Sequence, residues 1–291
     1  EHGADWVVND IAEIDSDVPV RRRNASGLPS ALNRVDEILG LRDGRQPVLF
    51  LDYDGTLTPI VDHPDKADLS GPMKQTLASL AERCTVAIVS GRGLADVRKR
   101  VGLDQLTYAG SHGFEIQGPQ TKPMPNEMGA AALPDLERAE ALLQELLADI
   151  PGALVERKRF SIAVHYRNVD PQAVPTVERI VDQVRDEHEQ LRKGHGKKVF
   201  ELQPDVDWDK GRAVLWLMEE LGLDAGGFQP IYIGDDVTDE DAFRSLEGRG
   251  LGILVDEGRV RQTHAGYKLA SPREVQVFLD RVSAAIDGEA R

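Results

Sequence analysis

The sequence predicts an α/β protein: a doubly wound parallel sheet of the Rossmann-like kind, interrupted by an α+β insert. Three observations predict it. From Val48 onward, apolar runs of strand length alternate with amphipathic helical stretches, the pattern of a parallel sheet covered by helices on both faces. Between about residues 117 and 204 the pattern changes to paired, alternating strands with flanking helices, the habit of an antiparallel sheet. After residue 205 the first pattern returns. A chain of 291 residues has room for two domains or for one domain with a large insertion.

Each element follows from local pattern. "GADWVVNDIAEI" (Gly3 to Ile14) reads as a short strand and the start of a helix. "DSDVPVRRRNASGLPS" is charged and punctuated by Gly, Pro and Ser, so it reads as linker. Its arginines Arg21 to Arg23 read as solvated charge rather than a binding patch. "ALNRVDEILGL" is a short helix with Leu32, Val35, Ile38 and Leu39 on one side. Residues 1–46 are thus set apart as an N-terminal extension and linker, possible as the tail of a preceding domain.

The core is expected at 47–116 and 205–291. Val48 to Leu51 is a continuous apolar run, as a strand buried on both faces requires. A helix over 71–83 places Met73, Leu77, Leu80 and Ala81 in register, a strand follows at Thr85–Val89, and a helix runs from Leu94 to Val101. Gln105 to Ile116 supplies another strand and its loop. The insert, 117–204, opens with a helix over 135–150. "GALVERKR" and "FSIAVHYRNV" pair as strands, with Ile162, Val164 and Tyr166 alternating against Ser161, Ala163 and His165. A helix over 171–190 carries Val174, Val177, Val181 and Val184, and Lys197 to Pro204 is one more strand. The "GHGKK" stretch reads as a hairpin tip. The core resumes with a helix over 210–221, a strand from Pro230 ending in the dense acidic loop "GDDVTDED", a strand at "GLGILVDE" and a final helix over 272–287.

Composition narrows the function. Apolar residues are 41% and charged residues 29%, with a net charge of −15. Nucleic acid is an unsuitable partner, because backbone binding needs a basic surface; an anionic small molecule is not excluded, since a local basic pocket can outweigh the net charge. No apolar run approaches the ~18 residues of a membrane helix. The single cysteine, Cys84, fits a reducing, cytoplasmic setting and reads as packing rather than a reactive thiol. The first residue is Glu1 rather than Met, which leaves room for covalent fusion to further domains.

The strand ends carry the chemistry. One strand delivers Asp52 and Asp54, a second Ser90 and Arg92, a third Asp235 and Asp236, while Lys210 opens a helix. Ligands in doubly wound folds bind beyond the carboxyl ends of the strands. Crowded carboxylates repel one another, and a divalent cation relieves this; hard oxygen donors suit Mg2+. Such a centre serves phosphoryl chemistry. One carboxylate attacks phosphorus, and a second handles the proton of the leaving oxygen and of water. "DYDGT" could alternatively be a turn, but a turn does not account for "SGR", "DKG" and "GDDVTDED" following in that order.

These motifs resemble those of the haloacid dehalogenase superfamily. More closely, "LDYDGTL", "GSHGFE", "VERKRFSIAVHYR", "ELQPDVDWDKG" and "IYIGDDVTDEDAF" resemble trehalose-6-phosphate phosphatases, over about residues 48–280. The resemblance implies a haloacid dehalogenase core in which the insert is an α+β cap domain. It implies Mg2+-dependent hydrolysis of trehalose 6-phosphate through an aspartyl-phosphate, with Asp52 as nucleophile and Asp54 as acid/base. Mg2+ would be held by the Asp52 carboxylate, the Asp54 carbonyl and Asp235, with Asp236 and Asp239 behind them, and Ser90 and Lys210 would hold the phosphoryl group. Sugar contacts would come from Glu156, Lys158, Arg167 and Glu201 of the cap, and from Tyr53, Arg92, His112 and Glu115 of the core. On pattern alone Glu156, Lys158 and Arg167 also read as ordinary exposed sheet charges, His112 as a loop residue, and His165 as structural or exposed. Two other functions remain open: hydrolysis of another sugar phosphate such as sucrose-phosphate, and a silent regulatory module that binds sugar phosphate.

Overall fold

The computed structural model describes residues 22–289, apart from 41–43, 62–63, 123, 125–127, 197, 225, 257 and 259–260. The strand and helix expected at Gly3 to Ile14 lie outside the described residues, as does Arg21. Residues 22–30, which read as linker, fold onto the core together with 31–33, the start of the expected short helix. Strand β1 (Arg23–Asn24) is followed by two single 3-10 turns, Ala25–Gly27 and Ala31–Asn33. Ala25 and Ala31 are small enough to let the backbone approach, and both are fully buried. Helix α1 (Val35–Leu39) stops at Gly40, which takes the left-handed conformation common at helix ends.

The next elements are β2 (Gln46–Leu51), α2 (Gly71–Ala81), β3 (Thr85–Val89), α3 (Leu94–Val101), β4 (Thr107–Gly110) and β5 (Glu115–Gln117). They are followed by α4 (Leu133–Leu147), β6 (Leu154–Lys158), β7 (Ser161–His165), α5 (Val174–Asp186), β8 (Leu191–Gly196) and β9 (Val199–Pro204). The chain closes with α6 (Lys210–Glu220), β10 (Phe228–Gly234), α7 (Asp239–Ser245), β11 (Leu251–Val255), β12 (Gln262–Thr263), β13 (Tyr267–Leu269) and α8 (Pro272–Glu289). None of the described helices is long and apolar enough to cross a membrane.

Among the described residues, seven strands form one sheet in the order β13-β11-β10-β2-β3-β4-β5. Neighbours are parallel except β5, which runs antiparallel to β4. The apolar run of β2 is explained by its central place. Leu49 and Leu51 pack with Leu77 of α2, Val97 of α3 and Phe278 of α8. Val48 and Phe50 point the other way, to Val214 and Leu217 of α6 and Phe243 of α7. Both faces are covered, so every second residue being polar would bury a polar group. From β2 the chain winds outward through β3 and β4, and returns on the opposite side through β10, β11 and β13. The strand order therefore reverses between β2 and β10, where a crevice opens.

A second sheet has the order β6-β7-β9-β8, antiparallel throughout. One face is apolar: Ile162, Val164, Phe200 and Leu202 pack against Leu136 and Leu143 of α4 and Val177 and Val181 of α5. The pairing Glu156↔Ala163↔Glu201 sets Glu156, Lys158, Ser161, His165, Glu201 and Gln203 on the other face, because side chains alternate along a strand. The first hairpin turns at Phe160, whose ring stacks on Phe114 of the core at 5.4 Å, and Phe114 meets Trp208 at 6.5 Å. These aromatics tie the two sheets together beside the crevice.

Besides β1, β12 and β13, for which no strand was expected, two elements differ from the sequence expectation. Strand β8 has two glycines and no apolar alternation, and it exists because β9 pairs along its whole length. Part of the acidic stretch read as loop is helix α7, whose first turn holds Asp239, Glu240 and Asp241; acidic side chains there favour the helix N-terminus.

Candidate active site

The ladder of β2 runs one residue past the strand. Asp52 N donates to Ile233 O of β10 at 2.9 Å, so the side chain of Asp52 is delivered at the crevice, almost wholly buried. The chain then turns sharply, with Gly55 N donating to Thr58 O at 2.8 Å. Gly55 has a φ of +83°, and a Cβ there would sit 2.2 Å from Asp235 Oδ2. A side chain at Gly55 would therefore push the two acidic loops apart.

Lys210 opens α6, capped by Asp209, whose Oδ1 accepts from Arg212 N at 2.8 Å. Its buried ammonium donates to Asp52 Oδ1 and to Asp239 Oδ1, at 2.7 Å each. Asp239 Oδ1 also accepts from Tyr232 Oη at 2.7 Å. Asp239 Oδ2 accepts from the amides of Asp235 and Asp236, both at 2.9 Å. Four donors saturate the carboxylate of Asp239. Asp239 is thus an anchor for the loop and for Lys210. Gly234 makes room for it: a Cβ at Gly234 would lie 2.3 Å from Asp239 Cγ.

Carboxylate oxygens of Asp52, Asp235 and Asp239 lie within 4.8 Å of one another. Burial pushes the Asp52 carboxyl well above the usual range, against the pull of Lys210 and with Asp239 and Asp235 adding to the rise. Burial and the charges of Asp239 and Asp236 push Asp235 up to about 7. The buried Oδ1 of Asp235 has no hydrogen-bond partner. A divalent cation fits this set: the donors are hard oxygens, one of them is orphaned, and a cation would reverse both pKa shifts. Asp52 and Asp235 have oxygens to offer it, whereas Asp239 does not. The exposed Asp236 accepts from Val237 N at 2.7 Å.

From β3 come Ser90 and Arg92. Ser90 is buried, its N bonded to Ala109 O at 2.8 Å and its Oγ accepting from Arg92 N at 3.1 Å. Arg92 grips both oxygens of Asp54, Nε to Oδ2 and Nη2 to Oδ1, each at 2.6 Å, and reaches Asp96 at 2.8 Å. In this arrangement Arg92 orients Asp54, whose half-exposed carboxylate keeps lone pairs for a further group. Replacing Arg92 by Lys removes the two-pronged grip. Arg92→Lys is expected to lower kcat/KM by about 10²-fold, the scale of a small misplacement of a reacting group, as steady-state phosphate release would measure.

His112 lies on the turn between β4 and β5, and Glu115 opens β5. His112 has a φ of +56°, and its N donates to Ser90 O at 2.9 Å. Glu115 accepts from Ser111 Oγ at 2.8 Å and pairs with Arg159 at 3.9 Å. Burial lowers the His112 pKa from 6.5 to about 4, against Glu201 and with Lys210 and Lys158 adding to the fall. Between about pH 4 and 6.5 the unfolded chain binds a proton that the folded chain refuses. This residue therefore makes stability rise with pH through that window, by up to about 3 kcal/mol, and adds nothing further above it. His112→Asn, tolerated at positive φ, is expected to flatten that rise; thermal unfolding of parent and variant from pH 4 to 8 isolates the difference.

The polar face of the second sheet supplies Glu156, Lys158 and Glu201. Lys158 approaches Glu201 at 3.8 Å, and Gln203 Nε2 donates to Glu201 Oε2 at 2.9 Å. Burial raises the Glu201 carboxyl, but His112 and Lys158, with hydrogen bonds from Ser161 and Gln203, together outweigh it and hold the pKa below its ordinary value. His165 lies 2.8 Å from Glu156, an ion-pair geometry that its alternation alone did not suggest. Two expected contact residues are placed differently from the expectation. The ring of Tyr53 is fully buried in the core cluster, with Oη donating to Ala67 O at 2.7 Å, so its side chain packs and is not open to a ligand. Arg167 lies beyond the end of β7, exposed in the following turn rather than on a strand. Tyr232 was not singled out from sequence: an aromatic inside an apolar strand carries no sign that its hydroxyl holds a carboxylate.

The doubly wound sheet, with aspartates from β2 and β10 meeting at the switch point beside a buried lysine, defines a haloacid dehalogenase-type phosphotransfer fold. Comparison with known proteins is more particular. The profile of the trehalose-phosphatase family matches residues 50–273, and the chain belongs to that family. It is 46% identical over 288 residues to a trehalose-phosphate phosphatase of Mycobacterium tuberculosis, covering 97% of this chain and 72% of that protein. It is 43% identical over 289 residues to that of Mycobacterium marinum, covering 98% and 73%. Among solved structures, a trehalose-6-phosphate phosphatase related protein superposes with a TM-score of 0.72 at 25% identity, covering 83% of this chain and 99% of that one. The Aspergillus fumigatus trehalose-6-phosphate phosphatase does so with 0.65 at 28% identity, covering 89% and 100%.

Proposed function

We propose that this protein hydrolyses trehalose 6-phosphate to trehalose and phosphate, with Mg2+ as cofactor and an aspartyl-phosphate on Asp52 as intermediate. The observation that carries the chemistry is the buried Asp52–Lys210–Asp239 cluster at the switch point, with Asp235 Oδ1 left unpartnered beside it. Asp52, the Asp54 carbonyl and Asp235 would hold the cation. When bound, Mg2+ would screen the charge of the phosphoryl oxygens and of the carboxylates around them.

The residues of the chain do the rest. Ser90 and Lys210 hold phosphoryl oxygens. An oxygen of Asp52 attacks phosphorus, the bond from phosphorus to the sugar oxygen breaks, and Asp54 passes a proton to that oxygen. Water then attacks phosphorus, Asp54 takes its proton, and the bond to Asp52 breaks to free phosphate. Glu156, Lys158, Glu201 and Arg167 of the insert, acting as a cap, bind sugar hydroxyls together with Arg92, His112 and Glu115. Charged groups suit a ligand made of hydroxyls because each can hold two at once.

The test is phosphate release from trehalose-6-phosphate, sucrose-6-phosphate, glucose-6-phosphate and p-nitrophenyl phosphate, with Mg2+ and then with chelator. Release that is fast with trehalose-6-phosphate, slow with the others and abolished by chelator is the expected result. Preference for another sugar would keep the core roles and overturn those of the cap, whereas tight binding without release would leave a silent module.

A further inference from the structure

Arg261 lies just before β12 and belongs to none of the motifs above. Its guanidinium donates from Nη1 to the main-chain O of Asp235 at 2.8 Å. From Nη2 it reaches Asp236 O at 3.4 Å and Glu240 Oε1 at 2.9 Å. The amides of the same two residues are held from the other side by Asp239 Oδ2. The main chain at Asp235 and Asp236 is therefore pinned through both its donors and its acceptors. Arg261 is itself held in place. Its O accepts from Ala25 N at 2.9 Å, and β1 pairs with β12 at Arg23↔Thr263 and Asn24↔Gln262. Glu240 Oε2 completes the frame, accepting from Thr263 Oγ1 at 3.2 Å and His264 N at 2.8 Å.

A carboxylate that binds a cation must be oriented, normally by hydrogen bonds to the carboxylate itself. Asp235 Oδ1 has no such bond, so the aim of this side chain depends on its main chain. We propose that Arg261 is a positioning residue for the cation site, fixing the main chain that presents Asp235 through its two carbonyl contacts and its pair with Glu240. The inference rests on the reading of Asp235 as a ligand. A lysine at this position keeps the charge but lacks the planar fork that spans three acceptors.

The experiment is calorimetric titration of the intact chain with Mg2+, for the parent, R261M and R261K, alongside steady-state phosphate release at several Mg2+ concentrations. R261M is expected to weaken Mg2+ binding by about 10-fold to 100-fold, to lose kcat at low Mg2+, and to regain most of it at saturating Mg2+ with KM for the sugar phosphate unchanged. R261K is expected to fall between. Should R261M not fold, R261K decides alone, with weakening of several-fold expected. Mg2+ affinities equal within about twofold in parent and folded variants would overturn the role of Arg261 and leave the cation reading standing. A parent that binds no Mg2+ would overturn both.

Discussion

Asp52→Asn is expected to all but abolish phosphate release while leaving the protein folded. The expected fall in kcat is roughly 10⁴-fold to 10⁶-fold, the scale seen when a covalent nucleophile is removed. The amide keeps the size of the carboxylate and can still accept from Lys210, but its oxygen is a poor nucleophile. The fold survives because Lys210 retains Asp239 at 2.7 Å, and because the amide of residue 52 stays on the ladder to Ile233. Trapping the protein with labelled substrate should give a phosphorylated parent chain on acid quench and none from the variant. Substantial turnover in a variant preparation free of parent enzyme would remove Asp52 from the nucleophile role.

Lys210→Met is expected to do damage of a different kind. The ammonium is 3% exposed and is shared by two buried carboxylates. Removing it leaves Asp52 and Asp239 facing each other without compensation, in a site where burial already disfavours the charged form of Asp52. Breaking a buried ion pair from one side costs about 3–5 kcal/mol, so thermal unfolding should begin many degrees lower. Activity should fall as well, by about 10²-fold to 10³-fold, because a preorganised donor to the phosphoryl oxygens is gone. The two variants thus separate: Asp52→Asn is a kinetic lesion in a sound fold, and Lys210→Met is both. A Lys210→Met protein as stable as the parent would mean that the cluster is held by something other than the lysine.

What could be read in advance follows from where each residue's partners lie. Thr85–Val89 and Leu94–Val101 were legible because burial on both sheet faces and on one helix face leaves a periodic trace. The positions of Asp52, Lys210 and Asp235 were legible because their motifs are short, two sitting where strands end and the third where a helix begins. Strand β8 left no such trace; its partner is β9, and "LRKGHG" has no preference of its own. The packing of residues 22–33 was hidden for a similar reason. Their carbonyls are met by Lys268, which donates to Pro29 O at 3.0 Å from its backbone and to Ser26 O at 2.9 Å from its side chain. Contacts to main-chain atoms, like those of Arg261, constrain neither the residue type nor the spacing of their acceptors. Tyr53 shows the opposite limit: it stands inside the most telling motif, yet its ring belongs to the core.

The strand order has a consequence for the newly made chain. Asp52 and Lys210 meet across 158 residues of sequence, and β2 is paired on one side by β3 and on the other by β10, which is synthesised after both Asp52 and Lys210. A chain synthesised only as far as residue 204 therefore carries Asp52 without Lys210, Asp235 or Asp239. Pairings between distant segments also form late and slowly. The cluster is therefore complete only after β10 has paired with β2 and the residues that follow have brought Asp235 and Asp239 to Asp52 and Lys210.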